Sequence, residues 1–113
     1  MAAIHEKIEQ LNEVDKFILL LLGEKDFEPV PGQIHLQKEM YLLQNVFPQL
    51  QDETDFESYL LGPYSEIVQN EEKELERSNL IHVRDGQIRL TSEGKSVFQE
   101  LVKRSDKKEL EKV

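Results

Sequence analysis

Histidines are the first residues to test for chemistry, and His5, His35 and His82 stand far apart in the chain. A helical zinc pair needs His-x-x-x-His or His-Glu-x-x-His, and neither spacing occurs. The chain has no cysteine. That excludes a thiolate metal site, an iron–sulfur cluster, a disulfide scaffold and a cysteine nucleophile. The 23 carboxylates lie in solvated runs. At this density some pairs sit close by chance, so no acid–base dyad stands out. Gly-x-Gly-x-x-Gly, a Walker-type loop and Gly-x-Ser-x-Gly are all missing. The expectation is a protein that is not an enzyme, with no catalytic, metal or cofactor residues.

Charge distribution carries more information. The 113 residues hold 14 basic and 23 acidic side chains, a net charge of −9. A uniformly acidic protein repels phosphate. The charge is uneven, however: residues 1–76 carry a net of −12 and residues 77–113 a net of +3. The C-terminal third therefore offers a local basic face, whose candidates for contacting nucleic acid are Arg84, Arg89 and Lys95, with Arg77 and Lys73 nearby in sequence.

The elements that would position these residues follow from periodicity. Residues 4–22 read as helix, with Ile4, Ile8, Leu11, Ile18 and Leu22 on one stripe. Asn12 can cap a second segment with Asp15 in its first turn, and Gly23 is placed to end it in the left-handed conformation. Residues 24–32 read as loop. Residues 34–47 read as helix on Leu36, Met40, Leu43 and Phe47, stopped by Pro48. Residues 49–55 read as a surface turn and residues 56–61 as a short strand. Pro63 suits the first position of a third helix over 64–78. Around it, Phe56, Tyr59 and Tyr64 lie beside acidic neighbours, which favours core packing over nucleic-acid stacking.

Asp85-Gly86 then stands between two alternating runs, which is a strong hairpin signal because a type I′ turn needs positive φ at both centres. The spacing predicts strands near 80–84 and 87–91. It pairs Ile81 with Leu90, His82 with Arg89, Val83 with Ile88 and Arg84 with Gln87. That register gathers the apolar residues on one face and His82, Arg84, Gln87 and Arg89 on the other. Thr91 or Ser92 can cap a last helix, apolar on Val97, Phe98, Leu101 and Val102. Residues 104–113 are mostly charged, and either a frayed end or a partner-assisted helix fits them. The fold class is α+β and mostly helical: one domain over 1–113, with its core near 14–103 and helical extensions at 1–13 and 104–113.

Three motifs, Leu36-Gln37-Lys38, Gly62-Pro63-Tyr64-Ser65 and Leu90-Thr91-Ser92-Glu93-Gly94, add a resemblance. Together with helices closed by a β-hairpin, they resemble the winged helix-turn-helix superfamily, nearest to small prokaryotic phage-associated and antitoxin-like domains. The resemblance spans roughly residues 14–103. It implies a third helix in the major groove of double-stranded DNA and a wing tip over residues 84–89 on the backbone or in the minor groove. The third helix departs from that pattern: Glu66, Glu71, Glu72, Glu74 and Glu76 oppose only Lys73 and Arg77. Such a helix is repelled by a phosphate-lined groove. Its possible base readers are Ser65, Gln69, Asn70 and Lys73.

Two functions are therefore expected as alternatives. One is a DNA-binding-like transcriptional regulator that contacts DNA through the wing. The other is an acidic protein–protein interaction module, an adaptor or antitoxin-like partner, docking through the third helix. A homodimer is expected from Ile4, Ile8 and Leu11, helped by Leu110, because a short amphipathic extension needs a surface to bury against. The longest apolar run, Phe17–Leu22, is too short for a bilayer, and the N-terminus lacks the pattern of a signal peptide. A cytoplasmic protein with no membrane partner is expected.

Overall fold

The computed structural model describes the backbone of residues 2–24, 31–59 and 62–112, and the side chains of 6–24, 31–58 and 62–104. The helices are α1 (Ala2–Glu9), α2 (Glu13–Glu24) and α3 (Gln33–Val46), a 3₁₀ turn (Pro48–Leu50) running into α4 (Gln51–Thr54), α5 (Glu66–Arg77) and α6 (Ser92–Lys112). Between them stand two antiparallel hairpins, β1 (Glu57–Tyr59) with β2 (Gly62–Tyr64) and β3 (Ile81–Arg84) with β4 (Gln87–Leu90). The architecture is α+β and mostly helical. Most of the loop expected at 24–32 falls on 25–30, outside the described residues, as does the end of the strand expected at 56–61.

A reciprocal cap separates the first two helices. The Asp15 N–H donates to Asn12 Oδ1 at 2.8 Å, and the Asn12 N–H donates to Asp15 Oδ2 at 3.1 Å. Each side chain satisfies a donor that the start of a helix leaves open. The break lets α1 fold back against α6. Ile8 is then only 3% exposed, and Leu11 packs on the same core. Of the residues expected at a dimer seam, Ile8 is buried in its own domain and Leu11 is half-buried against the same core. The side chains of Ile4 and Leu110 lie outside the described residues. Lys7 reinforces the fold-back, donating to the Ser78 carbonyl at 3.1 Å and pairing with Glu93.

Gly23 does not end α2 in the left-handed conformation. It is helical and buried, and the Phe98 ring of α6 occupies the space a Cβ would take, at 2.3 Å. The residue is small because two helices meet there. The expected surface turn at 49–55 is also corrected: Leu50 and Thr54 are fully buried, and Thr54 Oγ1 donates to the Leu50 carbonyl at 2.8 Å.

The third helix starts later than Pro63, which lies in β2. Ser65 is its cap, with Oγ accepting the Val68 N–H at 3.1 Å. Gln37 on α3 clamps that cap from the other side. Its Oε1 accepts the Ser65 N–H at 2.8 Å, and its Nε2 donates to the Ser65 carbonyl at 3.0 Å. The Ser65 hydroxyl donates in turn to the Thr54 carbonyl. Gln37, Ser65 and Thr54 are all buried.

The hairpin of β3 and β4 has the expected register at all four pairs. Asp85 and Gly86 both take positive φ, 53° and 75°. Ile81, Ile88 and Leu90 are buried, Val83 is half-buried against the core, and Arg84 is exposed. Thr91 then caps α6, its Oγ1 accepting the Gly94 N–H at 2.9 Å while donating to the Asn79 carbonyl at 2.6 Å. A Cβ on Gly94 would stand 1.9 Å from the Leu80 carbonyl oxygen, so this glycine lets α6 start against the backbone of β3's approach.

Two stability predictions follow from these contacts. Gly94→Ala meets main chain that cannot yield, whereas Gly86→Ala meets nothing within 4 Å and suffers only its positive φ. Urea unfolding should give a loss of about 1 kcal/mol for Gly86→Ala and a larger one, about 3 kcal/mol or more, for Gly94→Ala. Gln37→Leu leaves the buried Ser65 N–H without its acceptor and removes one of two donors to the Ser65 carbonyl, which keeps the Gln69 N–H. It should cost about 2–4 kcal/mol in the same assay.

Candidate functional site

The hairpin brings Arg84 and Arg89 to its outer face, both exposed, with His82 and Gln87 beside them. Arg89 donates to Gln87 Oε1 at 3.3 Å. Lys95 is exposed in the first turns of α6. Lys73 and Arg77 lie instead on α5, where Arg77 is held by Glu74 at 2.6 Å.

Two of the four possible base readers on α5 are occupied by the fold. Ser65 is the buried cap, and Gln69 accepts a hydrogen bond from the Tyr64 hydroxyl. The exposed polar residues of α5 are Glu66, Asn70, Lys73, Glu74, Glu76 and Arg77, so carboxylates outnumber cations on the face that would approach phosphate. The opposite face buries Val68, Leu75 and also Glu72, which accepts from Gln33 at 3.4 Å. Burial raises the Glu72 carboxyl above its ordinary range, with Glu76 adding repulsion, against the opposing pull of Gln33 and Lys73.

An apolar groove of about 280 Å³ runs between α2 and α3. Phe17, Leu20 and Leu21 form one wall, Leu43 and Phe47 the other, and Glu24 stands at its rim. The Phe17 and Phe47 rings meet at 5.0 Å. Beside it α3 turns Leu42 and Val46 to solvent, 61% and 68% exposed. Sequence periodicity assigned Leu43 and Phe47 to the buried stripe of this helix. The buried stripe is narrower, made of Leu36, Gln37 and Met40. The excess of apolar residues around 41–47 was the available signal for this surface.

A second concavity, about 530 Å³, lies where the α1–α2 junction faces α5. Asp15 is 6% exposed at its edge, beside Glu71 and Glu74. Asp15 Oδ1 is buried and receives no N–H donor; the group it faces is the Glu71 carboxyl. Burial, then the hydrogen bond with Glu71, raise the Asp15 carboxyl to about 7, against the lowering effect of the Asn12 N–H. A negative charge nearby disfavours a second one on Asp15, in the same direction as burial. The sequence placed Asp15 at a helix start but held no sign of its pairing with a residue 56 positions away. Among the described residues, no three histidine or carboxylate groups converge to hold a metal ion, and no helix is long and apolar enough to cross a membrane.

No family model, curated protein or solved structure matches this chain.

The buried acid sets a pH dependence. Between about 4 and 7 the folded protein keeps a proton on Asp15 that the unfolded chain has released. Stability therefore falls as pH rises through that window. Asp15→Asn keeps an acceptor for Asn12 and removes the charge. Urea unfolding should show the variant more stable than the parent at about pH 8, on the order of 1–3 kcal/mol, with the gap closing towards about pH 4.

Proposed function

We propose that this chain is a protein–protein interaction module that holds a cationic amphipathic helix of a partner in the groove between α2 and α3. The observation that carries this reading is the apolar groove of Phe17, Leu20, Leu21, Leu43 and Phe47, with Leu42 and Val46 exposed on α3. A soluble domain that leaves adjacent large apolar side chains in a groove offers a binding site for an apolar helix face. The choice of a cationic partner rests on charge. Glu24 is at the rim, and residues 1–76 carry a net of −12. Electrostatic attraction then steers encounter, and the groove supplies the affinity.

The second reading is a winged-helix-like protein that touches double-stranded DNA through its hairpin. The outward placement of Arg84 and Arg89 favours it. The acidic outer face of α5 weighs against it.

One set of titrations separates the two. A synthetic amphipathic helix of leucine and lysine should perturb the NMR signals of Phe17, Leu20, Leu21, Leu43 and Phe47. Val46→Glu should weaken its binding about tenfold, and the leucine–glutamate counterpart should not bind. Duplex DNA should show no salt-dependent binding. If DNA binds, weakens with salt and is lost in Arg84→Ala/Arg89→Ala, the wing reading replaces the groove reading. A dimer by light scattering that dissociates in Val46→Glu would make a second copy the occupant instead.

A further inference from the structure

We propose that the cleft between the α1–α2 junction and α5 is a binding site for an alkylammonium group, held between the carboxyls of Asp15 and Glu71. This goes beyond the groove reading and shares none of its residues.

The geometry has three parts. Asp15 lines the cleft, is more than nine-tenths buried, and its buried Oδ1 has no N–H donor. Glu71 faces it, and Glu74 adds negative charge on the same wall. Leu11, Leu75 and Leu80 give the cleft an apolar lining suited to a methylene chain. The protein's own nearby cations do not fill the acidic end: Lys7 is committed to Glu93 and the Ser78 carbonyl, and Arg77 to Glu74. A metal ion is disfavoured because the carboxylates among the described residues do not converge in threes. An ammonium head with an aliphatic body matches both ends of the cleft. The volume, about 530 Å³, is in the range of small-ligand sites.

The exchange balances in protons. Below about pH 7 the free site holds a proton on Asp15. The incoming ammonium keeps its own protons, donates hydrogen bonds to both carboxylates, and sends the Asp15 proton to solvent. Binding therefore strengthens as pH rises towards the Asp15 value of about 7 and levels off above it. The charged groups acting on Asp15 are Glu71 and Glu74 on α5, and Lys7 on α1 lines the same cleft; the partners of Lys7 and Glu74 are Glu93 and Arg77.

A free diamine and the lysine side chain of a protein share this chemistry. Isothermal titration of the full chain with 1,4-diaminobutane and with N-acetyl-lysine amide distinguishes them, run at about pH 6 and pH 8 in two buffers of different ionisation enthalpy. At least one amine should bind, about tenfold tighter at the higher pH if the Asp15 proton is fully displaced, with release of about one proton at the lower pH. Tighter binding of the diamine points to a free polyamine, and tighter binding of the lysine amide to a partner's side chain. Asp15→Asn should weaken binding at least tenfold and abolish the proton release while remaining folded by its thermal transition. Glu71→Gln, which leaves the Asn12–Asp15 cap untouched, should also weaken it. The proposal is overturned if neither amine binds at millimolar concentration, if both variants bind like the parent, or if magnesium binds in the amines' place.

Discussion

The Gln37 side chain and the backbone of Ser65 form the contact on which the arrangement of helices depends. A primary amide presents an acceptor and donors in one plane, and it can meet both the N–H and the C=O of one residue, which belong to the two peptide units flanking it. The two meet here with bonds of 2.8 Å and 3.0 Å in a buried site. Ser65 is also the cap of α5 and the donor to Thr54. One residue thus ties α3, α4 and the start of α5 together. A buried peptide group without such a partner costs more than an ordinary bond contributes, so the direction of α5 is set by where α3 places Gln37.

The other end of α5 is fastened by different means. Asn79 takes positive φ, and the Leu80 N–H returns to the Leu75 carbonyl at 3.0 Å, closing the helix before β3. The chain then reverses at Asp85-Gly86 and comes back to Thr91, whose hydroxyl bonds Asn79 while capping α6. The three motifs behind the winged-helix resemblance therefore have structural duties in this chain. Gln37 clamps, Ser65 caps, Thr91 caps and Gly94 makes room for Leu80. Their presence reports on how helices join a hairpin, and a function has to be sought elsewhere on the surface.

That surface is divided by charge and polarity. The outer hairpin face is basic, the outer face of α5 is predominantly acidic, and the α2–α3 groove is apolar. Carboxyls are also carried inward at Asp15 and Glu72. There burial makes the ionised form costly and raises both groups above their ordinary range.

What the sequence determined by itself is what neighbours in the chain decide. Asp85-Gly86 fixes its turn through local φ, and the alternation on either side fixes the register, so Arg84 and Arg89 were legible as an outward pair. Asn12 was legible as a cap, and Thr91 as one of two candidates with Ser92, because a cap acts over three residues. Only the tertiary structure decided the meaning of residues whose partners are distant. Gly23 is small because of Phe98, Ile8 is buried because α1 folds back, and the Phe17–Phe47 groove exists because two helices meet. Asp15 and Glu71 are a pair for the same reason. Periodicity marks which face of a helix is apolar, but the neighbour that covers it, or leaves it open, is set by long-range packing.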